Sequence, residues 1–226
     1  LLCVAPETRI LMRDLTWRTA GELRIGDDLL AFDESNPGAA REGFRAPSRY
    51  RHWRHSKVEA VPRAMLPCYR LTFDDGTVVV ASENHTWLAG SHSTGTSGRG
   101  WRWVKTKHLV CNRKKGRSWI LKVAPVVEQE QSWEAGWIAG MFDGEGSLLI
   151  SPGLRLSMAQ NQGVVLERAK RWFDSRGFGI SENTDMPCRQ LQIVGGVKQA
   201  FRCLMQTRPH RLLQTFDQNI EKLSLY

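Results

Sequence analysis

Long apolar runs are missing from this chain. No stretch of eighteen consecutive apolar residues occurs, which leaves no candidate for a membrane-spanning helix. Leu1 to Pro6 is too short for a signal peptide and lacks its basic start. Cysteine is sparse, odd in number and scattered, at Cys3, Cys68, Cys111, Cys188 and Cys203, with no CxxC pair. That spacing argues against both a zinc site and a disulfide framework, and the expected setting is a reduced cytoplasm. Acidic groups are also in short supply: 23 Asp and Glu face 32 Lys and Arg, a net charge of +9. The excess is uneven, because residues 1–131 carry a net +7 and residues 132–226 only +2. Two stretches dominate, Arg41 to Lys57 and Arg99 to Lys122. The second holds nine basic groups, no acid, and Trp101, Trp103 and Trp119. Basic residues interleaved with aromatics suit a polyanionic partner such as nucleic acid.

What is present divides the chain near residue 131. Before it, short strands and turns prevail. Thr8 to Met12 and Leu29 to Phe32 read as strands, residues 34–57 as a long basic loop, and Ser91 to Gly100 as a loop tip. Cys68 to Phe73 and Thr77 to Ala81 flank an Asp74-Asp75-Gly76 turn, the pattern of a β-hairpin. Ile120 to Val127 closes this mainly β part. From Ser132, a helix cap, the spacing turns helical. Strands Ser147 to Ser151 and Leu154 to Ala159 follow, joined at Pro152-Gly153. Next come an amphipathic helix Val164 to Arg176, stopped by Gly177, and strands Phe178 to Asn183 and Arg189 to Val194. Helices Val197 to Met205 and Leu212 to Phe216 complete the α-β-β-α-β-β-α order. Four strands with helices on one side leave one sheet face bare.

The chemistry concentrates at the end of the first helix. Gly136 and Gly140, with Ala135 and Ala139, permit close approach of a second helix, at a cost of about 1 kcal/mol per helical glycine. Asp143 and Glu145 follow where helix passes into strand, and carboxylates there suit a divalent metal. The segment Ile138 to Gly146, IAGMFDGEG, resembles the LAGLIDADG motif of homing endonucleases. The resemblance covers residues 132–217. It implies sequence-specific, Mg²⁺- or Mn²⁺-dependent cleavage of both DNA strands, with Glu145 and Asp143 catalytic and Glu145 and Gly144 as metal positions. Gln160, with Gln162 as the other candidate, matches the family's polar residue after the second strand. Gly195 stands where a basic residue is common, and Lys198 is the nearby basic group. Arg155, Ser157, Arg189 and Gln190 or Gln192 are the side chains expected to face DNA. With one copy of the motif, the resemblance implies a homodimer through the helix 132–144.

A second resemblance lies at the start. Cys3-Val4-Ala5-Pro6-Glu7-Thr8-Arg9-Ile10 is similar to the N-terminal splicing motif of inteins, and Gly21 to Asp27 to the segment after it. Ser82-Glu83-Asn84-His85 resembles the family's TxxH motif. The implied roles are Cys3 as nucleophile, His85 as the group protonating the departing amide, and Ser82 in place of threonine. The sequence ends without the C-terminal splicing residues, so the implied partner for splicing is a C-terminal intein fragment. The combined expectation is a mainly β Hint-like part, residues 1–130, followed by an α/β LAGLIDADG endonuclease domain, residues 131–226. The alternative is an incomplete splicing element that binds DNA without cutting it.

Overall fold

The computed structural model describes residues 2–34, 51–91, 102–109, 118–122, 124–151, 153–184 and 188–225. The Pro152 half of one expected turn, Trp101, Cys111, residues 35–50 of the expected basic loop, residues 92–100 of the expected loop tip and residues 110–117 of the second basic stretch lie outside the described residues. Among the described residues, nine strands precede the first α-helix: β1 Arg9–Leu11, β2 Trp17–Thr19, β3 Asp28–Phe32, β4 Trp53–Lys57, β5 Cys68–Thr72, β6 Val78–Ser82, β7 Thr86–Ser91, β8 Arg102–Lys105 and β9 Ser118–Ile120. Then come α1 Trp133–Glu145, β10 Gly146–Ile150, β11 Leu154–Gln160, α2 Val164–Ser175, β12 Ile180–Asn183, β13 Arg189–Ile193, α3 Gly196–Thr207 and α4 His210–Asn219. Among the described residues no helix is long and apolar enough to cross a membrane.

The chain divides into two compact units. One comprises Leu1–Met12, Arg18–Leu29 and Lys57–Val123; the other comprises Arg13–Trp17, Leu30–Ser56 and Ala124–Tyr226. In the first, β5 and β6 form the expected hairpin, with Cys68 opposite Ser82 and Thr72 opposite Val78. The three-stranded sheet runs β8-β7-β9. The Hint-like expectation is corrected here. The nine early strands are distributed over the pairs β1-β2, β3-β4 and β5-β6 and this one three-stranded sheet, and no barrel is formed among the described residues.

The second unit is built on an antiparallel sheet in the order β10-β11-β13-β12. Ser132 starts α1 by accepting the Ala135 amide at 3.1 Å, which satisfies one of the donors that a helix start leaves unpaired. Helix α1 buries Ala135, Ile138 and Phe142, and α2 buries Leu166, Ala169, Trp172 and Phe173. Gly177, at φ 64°, ends α2 in the left-handed conformation that a side chain with a Cβ resists. Phe142, Phe173, Phe201, Phe216, Leu156, Met158, Leu191 and Leu204 lie in the core with Trp53 of β4. Trp53 meets Phe201 edge-on at 5.2 Å, and Phe201 meets Phe216 at 5.4 Å, the geometry that aromatic quadrupoles favour.

Candidate nucleic-acid face

Strand alternation and register decide which side chains share the bare face. In β11, Leu154, Leu156 and Met158 are buried while Arg155 is exposed and Ser157 half-buried. Register places Leu149 opposite Arg155 and Ser147 opposite Ser157 on one side of β11. On the other side Gln192 lies opposite Ser157 and Gln190 opposite Ala159. Ser181 and Asn183 of β12 pair with Gln192 and Gln190 in turn. Directly opposed residues of antiparallel strands point the same way. One surface therefore carries Ser147, Leu149, Arg155, Ser157, Ala159, Gln190, Gln192, Ser181 and Asn183. Its strand positions include no carboxylate. The Gln190 amide donates to Ser157 Oγ at 3.4 Å.

Arg189 is on the other side, a correction that follows from parity. Odd positions of β13 join Leu191 and Ile193, both buried. Arg189 lies opposite Gln160 in register, and its guanidinium donates to the Thr184 carbonyl and approaches Glu182 at 4.0 Å. Glu182 also binds Lys170 of α2 at 2.7 Å. An arginine one residue out of step cannot share a face with Gln190 and Gln192.

The acids of IAGMFDGEG are separated by their surroundings. Asp143 accepts the backbone amides of His210 and Arg211 at 2.9 and 2.8 Å. It thereby caps α4 from 67 residues away. Arg211 returns the favour at the other helix end, donating to the carbonyls of Phe142, Asp143 and Gly146 at 2.9, 2.6 and 2.6 Å. Each side chain satisfies backbone groups that a helix terminus leaves unpaired, and each charge opposes the local helix dipole. Sequence reading missed this exchange, because nothing local marks residues so far apart as partners. Glu145 is the last residue of α1 and exposed, as is Gly144. Gln160 is half-buried and accepts the Asn161 amide at 2.9 Å. Gln162 is exposed in the following turn, and Lys198 is exposed in the first turn of α3. Among the described residues no group of three or more His, Cys, Asp or Glu is placed to hold a metal ion.

Cys3, Ser82 and His85 are neighbours in the first unit. The Cys3 amide donates to Ser82 Oγ at 3.1 Å, and the Ser82 amide donates to the Cys3 carbonyl at 2.9 Å. The His85 amide donates to the Ser82 carbonyl at 3.0 Å, closing the turn after β6. The Val4–Ala81 bridge continues this pairing. Burial pushes the His85 imidazole below its usual value, since a low-polarity site disfavours the charged ring. The Cys3 side lines a cleft with Leu2, Val4, Pro6, Ile10 and Gly21.

No protein-family model matches the chain. It is similar to the replicative DNA helicase DnaB of Mycobacterium leprae (strain TN), 38% identical over 73 residues, which is 31% of this chain and 9% of the helicase. It is also similar to DnaB of Mycobacterium intracellulare, 32% identical over 80 residues, 34% of this chain and 11% of that protein. The chain thus spans about a tenth of the length of these relatives. These findings correct the family assignment drawn from the sequence. The similarity is to proteins named as replicative helicases, and neither is named as an intein or a homing endonuclease. The fold class taken from those families, the metal-dependent site-specific DNA cut and the splicing alternative fall with that assignment. The physical reason in the motif is plain: Asp143 is engaged by two amides, and no acidic cluster gathers around Glu145 among the described residues.

Proposed function

We propose that the chain binds double-stranded DNA through the open face of its four-stranded sheet. The observation that carries this is the composition of that face: Arg155, Ser157, Gln190, Gln192, Ser181, Asn183 and Ser147 share it in register, without a carboxylate among its strand positions. Arg155 donates, and the Ser, Gln and Asn side chains both donate and accept, as base edges in the major groove require; Leu149 and Ala159 offer apolar contact to thymine methyl groups. A groove about 12 Å wide admits two adjacent strands. Arg155 and Gln192 also line a cleft with Gly153, Leu154 and Val194 to Val197 at the end of the sheet. The positive charge of the chain, +9, favours a polyanion in general. The partial similarity to DnaB, a protein named for its action on DNA, points to the same class of partner.

Self-association through α1 belongs to the same reading. Gly136, Gly140 and Gly144 leave its outer face open, with no atom of the described residues beyond the helix's own nearby backbone within 4 Å of where a Cβ would stand. A second copy there would present two sheet faces to one duplex, and a twofold pair reads a near-palindromic site.

Selection of bound duplexes from a randomised library, followed by titration at several salt concentrations, tests the proposal. Specific complexes are expected, and Arg155→Ala should reduce the log–log salt slope by about 1 if its guanidinium meets phosphate. Failure to retain any duplex at low salt would refute it. Sedimentation of the free protein and the complex tests the pairing, which requires two chains per duplex.

A further inference from the structure

Two tryptophans stand on one side of the sheet β8-β7-β9. Trp103 lies opposite Leu88 and Trp119 opposite Gly90, so the two indoles project from the same face on either side of β7. Leu88 between them is buried, at 4% exposure, whereas Trp103 and Trp119 remain 40% and 46% exposed. Gly90 contributes no side chain beside Trp119. Strand spacing and rise put the two Trp positions on the order of 12 Å apart, on a diagonal across the sheet.

Among the described residues a basic side chain shares their face. Lys105 is opposite Thr86, two residues from Trp103 and therefore on its face, whereas Arg102, opposite Ala89, projects from the reverse face. Two acids of the same unit are engaged by lysines: Asp75 by Lys122 at 2.5 Å and Glu83 by Lys107 at 3.6 Å. The Lys122 ammonium and Thr77 together hold the Asp75 carboxyl far below its usual value, so it stays ionised and paired.

From this arrangement we infer that the β8-β7-β9 face binds single-stranded nucleic acid, stacking unpaired bases on Trp103 and Trp119 while Lys105 meets the phosphates. The chemistry fits that occupant. Aromatic faces accept any base because every base has a π-face, and basic side chains alongside follow the backbone. A duplex hides its base faces inside the stack, so it has no use for exposed indoles of this kind. This site is independent of the duplex-binding sheet, since its residues all belong to the other unit.

The test is equilibrium binding of the whole chain to a fluorescent oligothymidylate, read by anisotropy. Trp103→Leu or Trp119→Leu should each weaken binding by roughly 5- to 150-fold, the range that loss of one base–aromatic stack produces. Trp→Phe at either position should restore most of the affinity. A strand of abasic residues keeps every phosphate and should bind far more weakly, with no response to the leucine variants. Lys105→Gln should lower the log–log salt slope by about 0.7. The inference is overturned if the abasic strand binds the unaltered protein as tightly as oligothymidylate. It is equally overturned if leucine variants with an unchanged thermal midpoint bind like the parent. Arg155→Ala, on the other sheet, should leave strand binding within about twofold, so failure of either reading is seen separately.

Discussion

Removing the Asp143 carboxylate would free two backbone amides at the start of α4, those of His210 and Arg211. Loss of a capping side chain costs about 0.5–2 kcal/mol, and loss of negative charge at a helix N-terminus adds about 0.3–1 kcal/mol. Asp143→Ala should therefore destabilise the second unit by about 2 kcal/mol. Asp143→Asn keeps one accepting oxygen and no charge, and should cost about 1 kcal/mol. Arg211→Ala releases the carbonyls of Phe142, Asp143 and Gly146. Water can replace the guanidinium at the two exposed bonds, to Asp143 and Gly146, so the cost is again about 1 kcal/mol. Urea unfolding followed by far-ultraviolet circular dichroism reads all three, with midpoints falling at constant slope. Alanine variants within about 0.3 kcal/mol of the parent would refute the capping argument, as would an asparagine variant as damaged as alanine.

Other substitutions probe the same unit. Trp53, 1% exposed and edge-on to Phe201, should cost about 3–5 kcal/mol when replaced by alanine, measured by the same unfolding curves. Gly136→Ala meets nothing within 4 Å and should stabilise the isolated chain by about 1 kcal/mol, while weakening self-association measured by sedimentation. Gly146→Ala should do the reverse, because a Cβ there would lie 2.3 Å from the Phe142 carbonyl oxygen; a loss of about 1–3 kcal/mol is expected in thermal unfolding. Arg176 hydrogen bonds hold Glu130 below its ordinary value of 4.5, with Ser132 assisting. A folded value below the unfolded one means that the stabilisation is complete above about pH 4.5 and is lost as pH falls through the folded value. Stability curves of the parent and Arg176→Ala should therefore converge on acidification below that pH, and a gap that stays constant would contradict the pairing.

The second half of the chain was legible because its signals are local. Ser132 caps the helix that its side chain suggests, Gly177 ends α2, and alternation along Leu154 to Ala159 separates buried from exposed positions. Strand β4 was hidden because Trp53-Arg54-His55-Ser56-Lys57 reads as part of a basic loop, although Trp53 is core. The strand expected from Ile120 to Val127 is instead β9, Ser118–Ile120, whose partner is β7; pairing across the chain, not propensity, fixes its limits. The same gap between local and distant information explains the site. Arg155, Ser157, Gln190 and Gln192 could be grouped by period, but Arg189 was grouped with residues of opposite parity. Asp143 and Glu145 invited a metal reading from their spacing, whereas the amides that occupy Asp143 come from residues 210 and 211.

Two variants decide which face of the four-stranded sheet meets DNA. Duplex recovered by selection is titrated with the parent protein, with the open-face variant Arg155→Ala/Gln192→Ala, and with the opposite-face variant Arg189→Ala. Each base-edge contact is worth about 1–3 kcal/mol, so the open-face variant should bind at least about tenfold more weakly. Arg189→Ala should remain within about twofold of the parent. Equal losses in the two variants, or a loss confined to Arg189→Ala, would contradict the assignment of the open face.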